Sequence, residues 1–473
     1  MDACSGIGGG TVHLPAGSYL TGSLFLRSHI TLYLDAGATV LGSERTADYP
    51  VITSRWEGKE QLTHAPLIGG SDLRDIAIVG RGTIDGRGAG WWQMHRERRL
   101  DHPRPRLISF SRCSNVLIEG ITATNSPSWT IHPVCCQNVN VDKVTVINPA
   151  DSPNTDGINP DSCRDVHIAN CHVDVGDDCI AIKSGKEGDD SLVPCENITI
   201  TNCTLVHGHG GVVIGSEMSG GVRNVVIANC IFAGTDRGIR FKSRRGRGGV
   251  VEDIRVTNVI MTDVLCPFTV NLYYAPGGAW GDKAVSDKRP QPVTAGTPRF
   301  RRIHLSHVTA RGVRYAAGFL YGLAEMPVED VTLDDVSVAM AQETEGGYAE
   351  MADGLEPMRR AGFFAANVRG LRLHHVEVTD QLGPAVTIVD ASQVEISAST
   401  TPTPAADSPV IPLSNVQGAF IHGCQAHSGT GTFLQLQGER TSQIVLGGNS
   451  LGRAQESVQV AAGVPDGAVG QPV

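Results

Sequence analysis

One short phrase recurs along the chain: a polar residue, then Val or Ile, any residue, then Val or Ile. Copies include Asn115-Val116-Leu117-Ile118, Asn138-Val139-Asn140-Val141, Asp165-Val166-His167-Ile168, Asn197-Ile198-Thr199-Ile200, Asn224-Val225-Val226-Ile227 and Asp253-Ile254-Arg255-Val256. Later copies begin at Asp330, Gly370 and Gly418, and the central spacings are 23, 27, 32, 27 and 29 residues. Alternation at period two marks half-buried strands, and a repeat of this length marks a solenoid. Helical patterning is confined to Trp91 to Leu100 and Met351 to Arg360, too little for β-α units. The pattern predicts an all-β fold, a single right-handed parallel β-helix.

Phase within the repeat sharpens this. Six residues after Asp165, Asn197 and Asn224 stand Cys171, Cys203 and Cys230; fifteen residues after stand Ile180, Val212 and Ile239. Two positions thus keep register through three coils although the loops vary, as stacked strands about 4.8 Å apart require. Asn170, Asn202, Asn229 and Asn258 are expected to form a stacked amide ladder at a corner. The three cysteines read as buried free thiols. Twelve cysteines in 473 residues are not a disulfide framework, and none has zinc-type spacing.

Four polar motifs fall on consecutive coils: Asn154-Thr155-Asp156, Gly176-Asp177-Asp178, Gly208-His209-Gly210 and Arg240-Phe241-Lys242. The phase puts Asp156 with Asp178, Asp177 with His209, and Lys183 with Lys242 in shared columns. Strand alternation turns Ile180 and Ile182 inward and Lys183 outward, with Arg240 and Lys242 outward likewise. Asp177-Asp178 then belongs to the turn before its strand. Like charges in neighbouring rungs raise one carboxyl pKa, which supplies an acid beside a carboxylate base. Glycosidic cleavage uses that pair, and adjacent cations suit an anionic sugar. A surface ladder of solvated charge is the plainer alternative, which the flanking glycines and the concentration of chemistry argue against.

Composition narrows the partners. A net charge of -10 makes a nucleic-acid partner unlikely as a bulk property, so an acidic substrate needs a locally basic cleft. No run reaches the length of a membrane span, and no basic region followed by an apolar stretch opens the chain. The first strand-and-turn pattern comes almost at once, at Gly8 to Gly17, with little room for a solenoid cap. The expectation is a missing cap and a shortened start: secretion or a periplasmic location if a signal is lost, a cytoplasmic one otherwise. The domain reading is a β-helix over 1–395, then 396–473 as an extended loop, last coils and a disordered tail.

The four motifs together, in this order, resemble those of glycoside hydrolase family 28, the polygalacturonases and their relatives, across roughly residues 5 to 310. The resemblance implies a pectin-lyase-like β-helix that hydrolyses α-1,4-galacturonosidic bonds of pectic polymers with inversion, without metal or other cofactor. It implies Asp177 as general acid, Asp156 and Asp178 as activators of water, and His209 as a modulator of the acid. Arg240 and Lys242 would hold the galacturonate, with Lys183 as a further substrate-facing candidate. Finer features resemble the bacterial exo-acting branch: Ser126 to Pro133, Asn159 to Cys163, Gly215 to Gly221 and the basic run Lys242 to Gly249. They add Trp129, His132, Glu217 and Arg244 as substrate-binding candidates. Trp129 reads equally as a packed aromatic, and His132 as a turn histidine. The irregular segment Tyr274 to Arg299 is either a wall closing one end of the cleft or a disordered excursion. Cleavage of rhamnogalacturonan or xylogalacturonan, a calcium-dependent pectate lyase and a non-catalytic glycan-binding solenoid are the competing readings.

Overall fold

The computed structural model describes residues 1–189, 191–276 and 280–470. The architecture is the expected one: short strands pair in parallel, each with the equivalent strand one coil away. Crossovers between parallel strands are right-handed as a rule, which sets the hand of the coil. The chain divides into two compact units, Met1–Ile231 and Phe232–Val473.

In the first unit the recurring phrase forms one column. Ile76, Val116, Val139, Val166, Ile198 and Val225 are in register and buried. The next inward position stacks Ile78, Ile118, Val141, Ile168, Ile200 and Ile227 in the same way. Burying one such side chain contributes about 1.5–3 kcal/mol, so two uninterrupted columns form the core of the coil.

The polar residue opening each phrase has a conformational reason. Asn115, Asn138, Asp165, Asn197, Asn224 and Asp253 all have φ between 54° and 59°. Asn and Asp tolerate this left-handed conformation far better than β-branched residues do. The corners then bond to one another: Asn197 Nδ2 donates to Asp165 (2.9 Å) and Asn224 Nδ2 to Asn197 (3.0 Å). Asn170, Asn202, Asn229 and Asn258 share the left-handed conformation, and Asn202 donates to Asn170. The later phrase openings Asp330, Gly370 and Gly418 are left-handed too.

Cys171, Cys203 and Cys230 are buried free thiols, as expected. A second ladder was not read from the sequence. Cys136, Cys163 and Cys195 accept through sulfur from the backbone N–H of Cys113, Cys136 and Cys163 at 3.3–3.4 Å. Each stands two residues before a corner, which is the signal that would have found it.

Two expectations need correction. Ala89–Arg96 is a helix, but residues 351–360 are not. That stretch folds back as bridges Tyr274↔Ala352 and Gly347↔Met358, and Pro357 and left-handed Gly354 are unsuited to a helix interior. The last coils, expected over Gly418 to Asn449, run on further: Glu456–Val460 pairs with Thr432–Gln437. The extended loop after Ser397 is present, while 471–473 of the proposed tail lie outside the described residues.

The second unit carries longer strands on the same principle. Val250–Thr262, Arg299–Val313, Val328–Met340 and Ala361–Thr379 pair successively in parallel. The corner geometry yields a test. Replacing Asn197 by Ala is expected to cost about 1–2 kcal/mol in urea unfolding, and Asn197→Gly less, because Gly meets the left-handed φ without a Cβ.

Candidate active site

Three stacked turns bring the polar motifs of the first unit together. Gly157 N–H donates to the Asp178 carbonyl at 3.0 Å, and Cys179 N–H to the Gly210 carbonyl at 2.8 Å. Ile158 bridges Ile180, and Ile180 pairs with Val212. Asp156 therefore aligns with Asp178, and Asp177 with His209. Asp177-Asp178 lies in the turn before Ile180–Ile182, as alternation required. Gly208 is left-handed (φ 69°), and a Cβ there would stand 2.5 Å from the Asp177 carbonyl oxygen. Only glycine brings the His209 turn so close.

One oxygen from each of Asp156, Asp177 and Asp178 lies within 4.8 Å of the others. Asp156 and Asp178 are buried, whereas the Asp177 side chain is 20% exposed and that of His209 46%. The pair Asp177 and His209 is thus the solvent-facing edge. His209 Nδ1 stands 3.3 Å from Asp177 Oδ1, which also accepts from the Asp178 N–H at 2.8 Å. Burial, then the Asp177 charge, pushes the Asp156 carboxyl up to about 8; Lys183 and a 2.9 Å bond from Asn159 Nδ2 pull against this. The cluster holds a proton at neutral pH, shared between its members.

Three carboxylate oxygens are a donor set for a hard cation. Lys183, however, already sets an ammonium 3.8 Å from Asp156 Oδ2, and that charge disfavours a divalent ion beside it. Lys183 Nζ also donates to Glu217 Oε2 at 3.0 Å and lies 4.7 Å from the Trp129 ring centre. Two expected substrate contacts, Lys183 and Glu217, are therefore partners of each other, and Lys183 is buried rather than outward-facing.

For Trp129 and His132 the structure shows the packed alternative. Trp129 is buried and stacks on Trp56 with 5.8 Å between ring centres and 6° between planes. His132 is 1% exposed, packs on Trp129 edge-to-face and stands 3.6 Å from Asp161 Oδ2. Burial pushes His132 down to about 4, so it is a neutral ring within the wall. What covers them is a hairpin, Val51–Trp56 with Lys59–His64, that the repeat pattern does not announce. Arg55 pins it, bonding Asp161 (3.0 Å), Ser162 (2.8 Å) and Asp189 (2.8 Å). At its tip Gly58 accepts from the Lys186 N–H at 3.1 Å, and a Cβ there would stand 2.6 Å from that of Lys186.

Arg104 is a second omission. It is buried and donates to the Pro127 carbonyl (2.9 Å), the Pro153 carbonyl (2.7 Å) and Asn154 Oδ1 (2.6 Å). It braces the turn that presents Asp156, and burial pushes its own pKa down to about 10. Nothing in Pro103-Arg104-Pro105-Arg106 identifies it from sequence.

In the second unit Arg240 and Lys242 are buried, against the outward expectation. Every residue of Arg237–Lys242 is covered. Arg240, 1% exposed, binds Glu350 through Nε (2.6 Å) and Nη2 (3.3 Å). Thr269 Oγ1 also donates to Glu350, at 3.2 Å. The Arg240 and Arg237 charges hold the Glu350 carboxyl down at about 2 against its burial. Lys242 Nζ lies 5.3 Å from the Tyr274 ring centre. Half-buried Arg244 donates to the Pro276 carbonyl at 3.3 Å. Arg245 binds Glu325 and the Asp287 carbonyl, both at 2.6 Å. The basic run thus anchors the segment after Tyr274, which is folded where described and carries a short helix, Lys283–Ser286.

A cluster of carboxyl groups holding a shared proton on a parallel β-helix defines a glycosidase. The sequence profile of glycosyl hydrolases family 28 matches residues 4–348, and the chain belongs to that family. A probable polygalacturonase of Vitis vinifera is 35% identical over 343 residues, 71% of this chain and 68% of that protein. An endo-polygalacturonase of Pectobacterium carotovorum subsp. carotovorum is 30% identical over 287 residues, 56% of this chain and 69% of that protein. Among solved structures, a hyperthermoactive exopolygalacturonase from Thermotoga maritima aligns with TM-score 0.67 and 29% identity, covering 80% of this chain and 86% of that one.

The Glu350 cluster supports a direct test. Glu350→Ala leaves Arg240 and Arg237 buried without their carboxylate, and such a loss costs about 3–5 kcal/mol. Urea unfolding is expected to show this loss; a change under about 1 kcal/mol contradicts the pairing.

Proposed function

We propose that the chain hydrolyses α-1,4-galacturonosidic bonds of pectic polymers, taking units from a chain end with inversion. The observation that carries the hydrolase reading is the group Asp156, Asp177 and Asp178 within 4.8 Å, one proton held among them. Asp177 is the proposed acid. It faces solvent, and His209 at 3.3 Å adjusts its charge as the proton leaves for the glycosidic oxygen. Asp156 and Asp178 orient and activate the water. Asp156 stores the proton in the free enzyme; Asp177 delivers it. Lys183 balances the charge from below.

Inversion is proposed because two carboxylates, Asp156 and Asp178, stand beside the acid and can hold a water for attack from the opposite face of the sugar. Named relatives include both an endo- and an exo-acting enzyme, so exo action rests on this chain's own hairpin. Its tip touches Lys186, and Arg55 beside the tip ties it to Asp161, five residues beyond Asp156. That is a barrier beside the carboxylates, suited to a chain end.

Two experiments decide these points. Proton NMR of a defined galacturonate oligomer during digestion is expected to show monomer or dimer first, with the new reducing end initially β. A spread of mid-sized oligomers contradicts exo action, an initial α anomer contradicts inversion, and an unsaturated product favours a lyase. The second is a pH–rate profile. A carboxyl raised to about 8 is protonated below that pH, so kcat/KM is expected to fall as pH rises through about 8. Asp177→Asn is expected to lose about 10²–10⁴-fold at the optimum. Unchanged turnover contradicts the acid assignment.

A further inference from the structure

Asp177 and His209 are not the only carboxylate and imidazole that join their two turns. The stretches 172–182 and 204–214 align residue for residue: Val175 pairs with His207 and Ile180 with Val212, with no insertion between. Asp174 stands one residue before Val175, and His207 Nδ1 donates to its Oδ1 at 2.8 Å. Two carboxylate–imidazole pairs therefore link the same two turns, Asp174 with His207 and Asp177 with His209. None of the four polar motifs contains the outer pair, and the chemistry above makes no use of it.

Stability does not account for it. The His207 and Asp174 side chains are 58% and 31% exposed, and exposed pairs of this kind contribute little to stability. Nor does the corner itself require an imidazole. His207 is left-handed (φ 52°), a conformation that Gly or Asn also adopts. What the pair holds is the entry to a loose turn. The strand Thr204–His207 ends here, and the bond to Asp174 ties that end down just before Gly208. Gly208 is left-handed too (φ 69°), and glycine has more backbone freedom than any other residue. The exit of the turn is fixed at Gly210, whose carbonyl accepts from the Cys179 N–H at 2.8 Å. Its middle is fixed by the His209 N–H, which donates to the Asp177 carbonyl at 3.2 Å. The Cys179 thiol reaches the Val206 and His207 carbonyls only at 3.6 and 3.8 Å, and a thiol is a weak donor.

We propose that His207 and Asp174 are positioning residues for His209. Holding His207 sets where the chain enters Gly208, and so sets the His209 ring 3.3 Å from Asp177 Oδ1. The outer pair acts through His209 and not on the reacting groups directly. A displaced imidazole no longer adjusts the charge of Asp177 as its proton leaves, so the loss falls on the chemical step rather than on substrate binding. This inference rests on the roles given above to Asp177 and His209.

The test is a pair of double-mutant cycles read by steady-state turnover of polygalacturonate. His207→Gly removes the imidazole while glycine keeps the left-handed corner, and Asp174→Ala removes the acceptor; each is combined with His209→Ala. Either change alone is expected to lower kcat about tenfold, with KM within about twofold of the parent, since small misplacements beside a reacting group are costly. In the His209→Ala background neither is expected to lower kcat further, because nothing is left to position. Turnover is counted per folded molecule by circular dichroism, so a folding defect does not register as a loss, and if one variant fails to fold the other decides. Unchanged kcat overturns the inference, as does a loss confined to KM or one that recurs in full in the His209→Ala background. Full activity of His209→Ala sinks the role given to His209 and this inference with it. An impaired His209→Ala beside fully active His207→Gly and Asp174→Ala sinks only the positioning.

Discussion

Each coil must turn at a left-handed corner, and the rest of the molecule follows from that constraint. A residue with φ near 55° costs a branched side chain dearly and an Asn or Asp little. The corner amides then bond from coil to coil, Asn224 to Asn197 to Asp165, which ties each turn to its neighbour. Register follows, because a slip by one residue would send Ile198 and Ile200 from the core to the solvent. The carboxylate cluster depends on the same register. Asp177 and Asp178 follow Asp156 by 21 and 22 residues, and only stacking puts their oxygens within 4.8 Å.

Stacking also creates the electrostatic problem that the site uses. Three carboxylates held together with two of them buried cannot all ionise, so Asp156 keeps a proton to about pH 8. Lys183 partly offsets the charge, and Glu217 holds Lys183 in place at 3.0 Å. A rigid solenoid cannot relax by moving the turns apart, because the backbone bonds between Gly157 and Asp178 and between Cys179 and Gly210 fix their spacing. The proton affinity is therefore built into the backbone rather than into any one side chain.

What the sequence revealed divides along physical lines. Periodic features were legible because each coil repeats them: the inward Val and Ile, the corner Asn and Asp, the column of Asp177 with His209. Contacts between distant segments were not. Arg55 meets Asp161 across 106 residues, and Arg240 meets Glu350 across 110. No periodicity encodes either. Alternation led Lys183 and Arg240 to be expected outward, but it is silent on what covers a face, and both are buried. The hairpin over Trp129 and the carboxylate of Glu350 are such covers. They converted expected sugar contacts into buried partners.

The covers matter for specificity more than the coil does. The coil supplies an anionic cluster at a fixed spacing, a feature compatible with any polymer that can reach it. Access is set by irregular additions to the repeat: the hairpin through Trp56, the helix Ala89–Arg96, the loop to Arg104. These are the segments where evolution can change length without breaking register, since they leave the coil at one corner and return at the next. In this chain they carry a concentration of arginine: Arg55, Arg96, Arg98, Arg99, Arg104 and Arg106. A polyanion approaching an acidic protein is repelled except where such a patch outweighs the net charge. The same additions that flank the turn of Asp156 therefore also carry positive charge there.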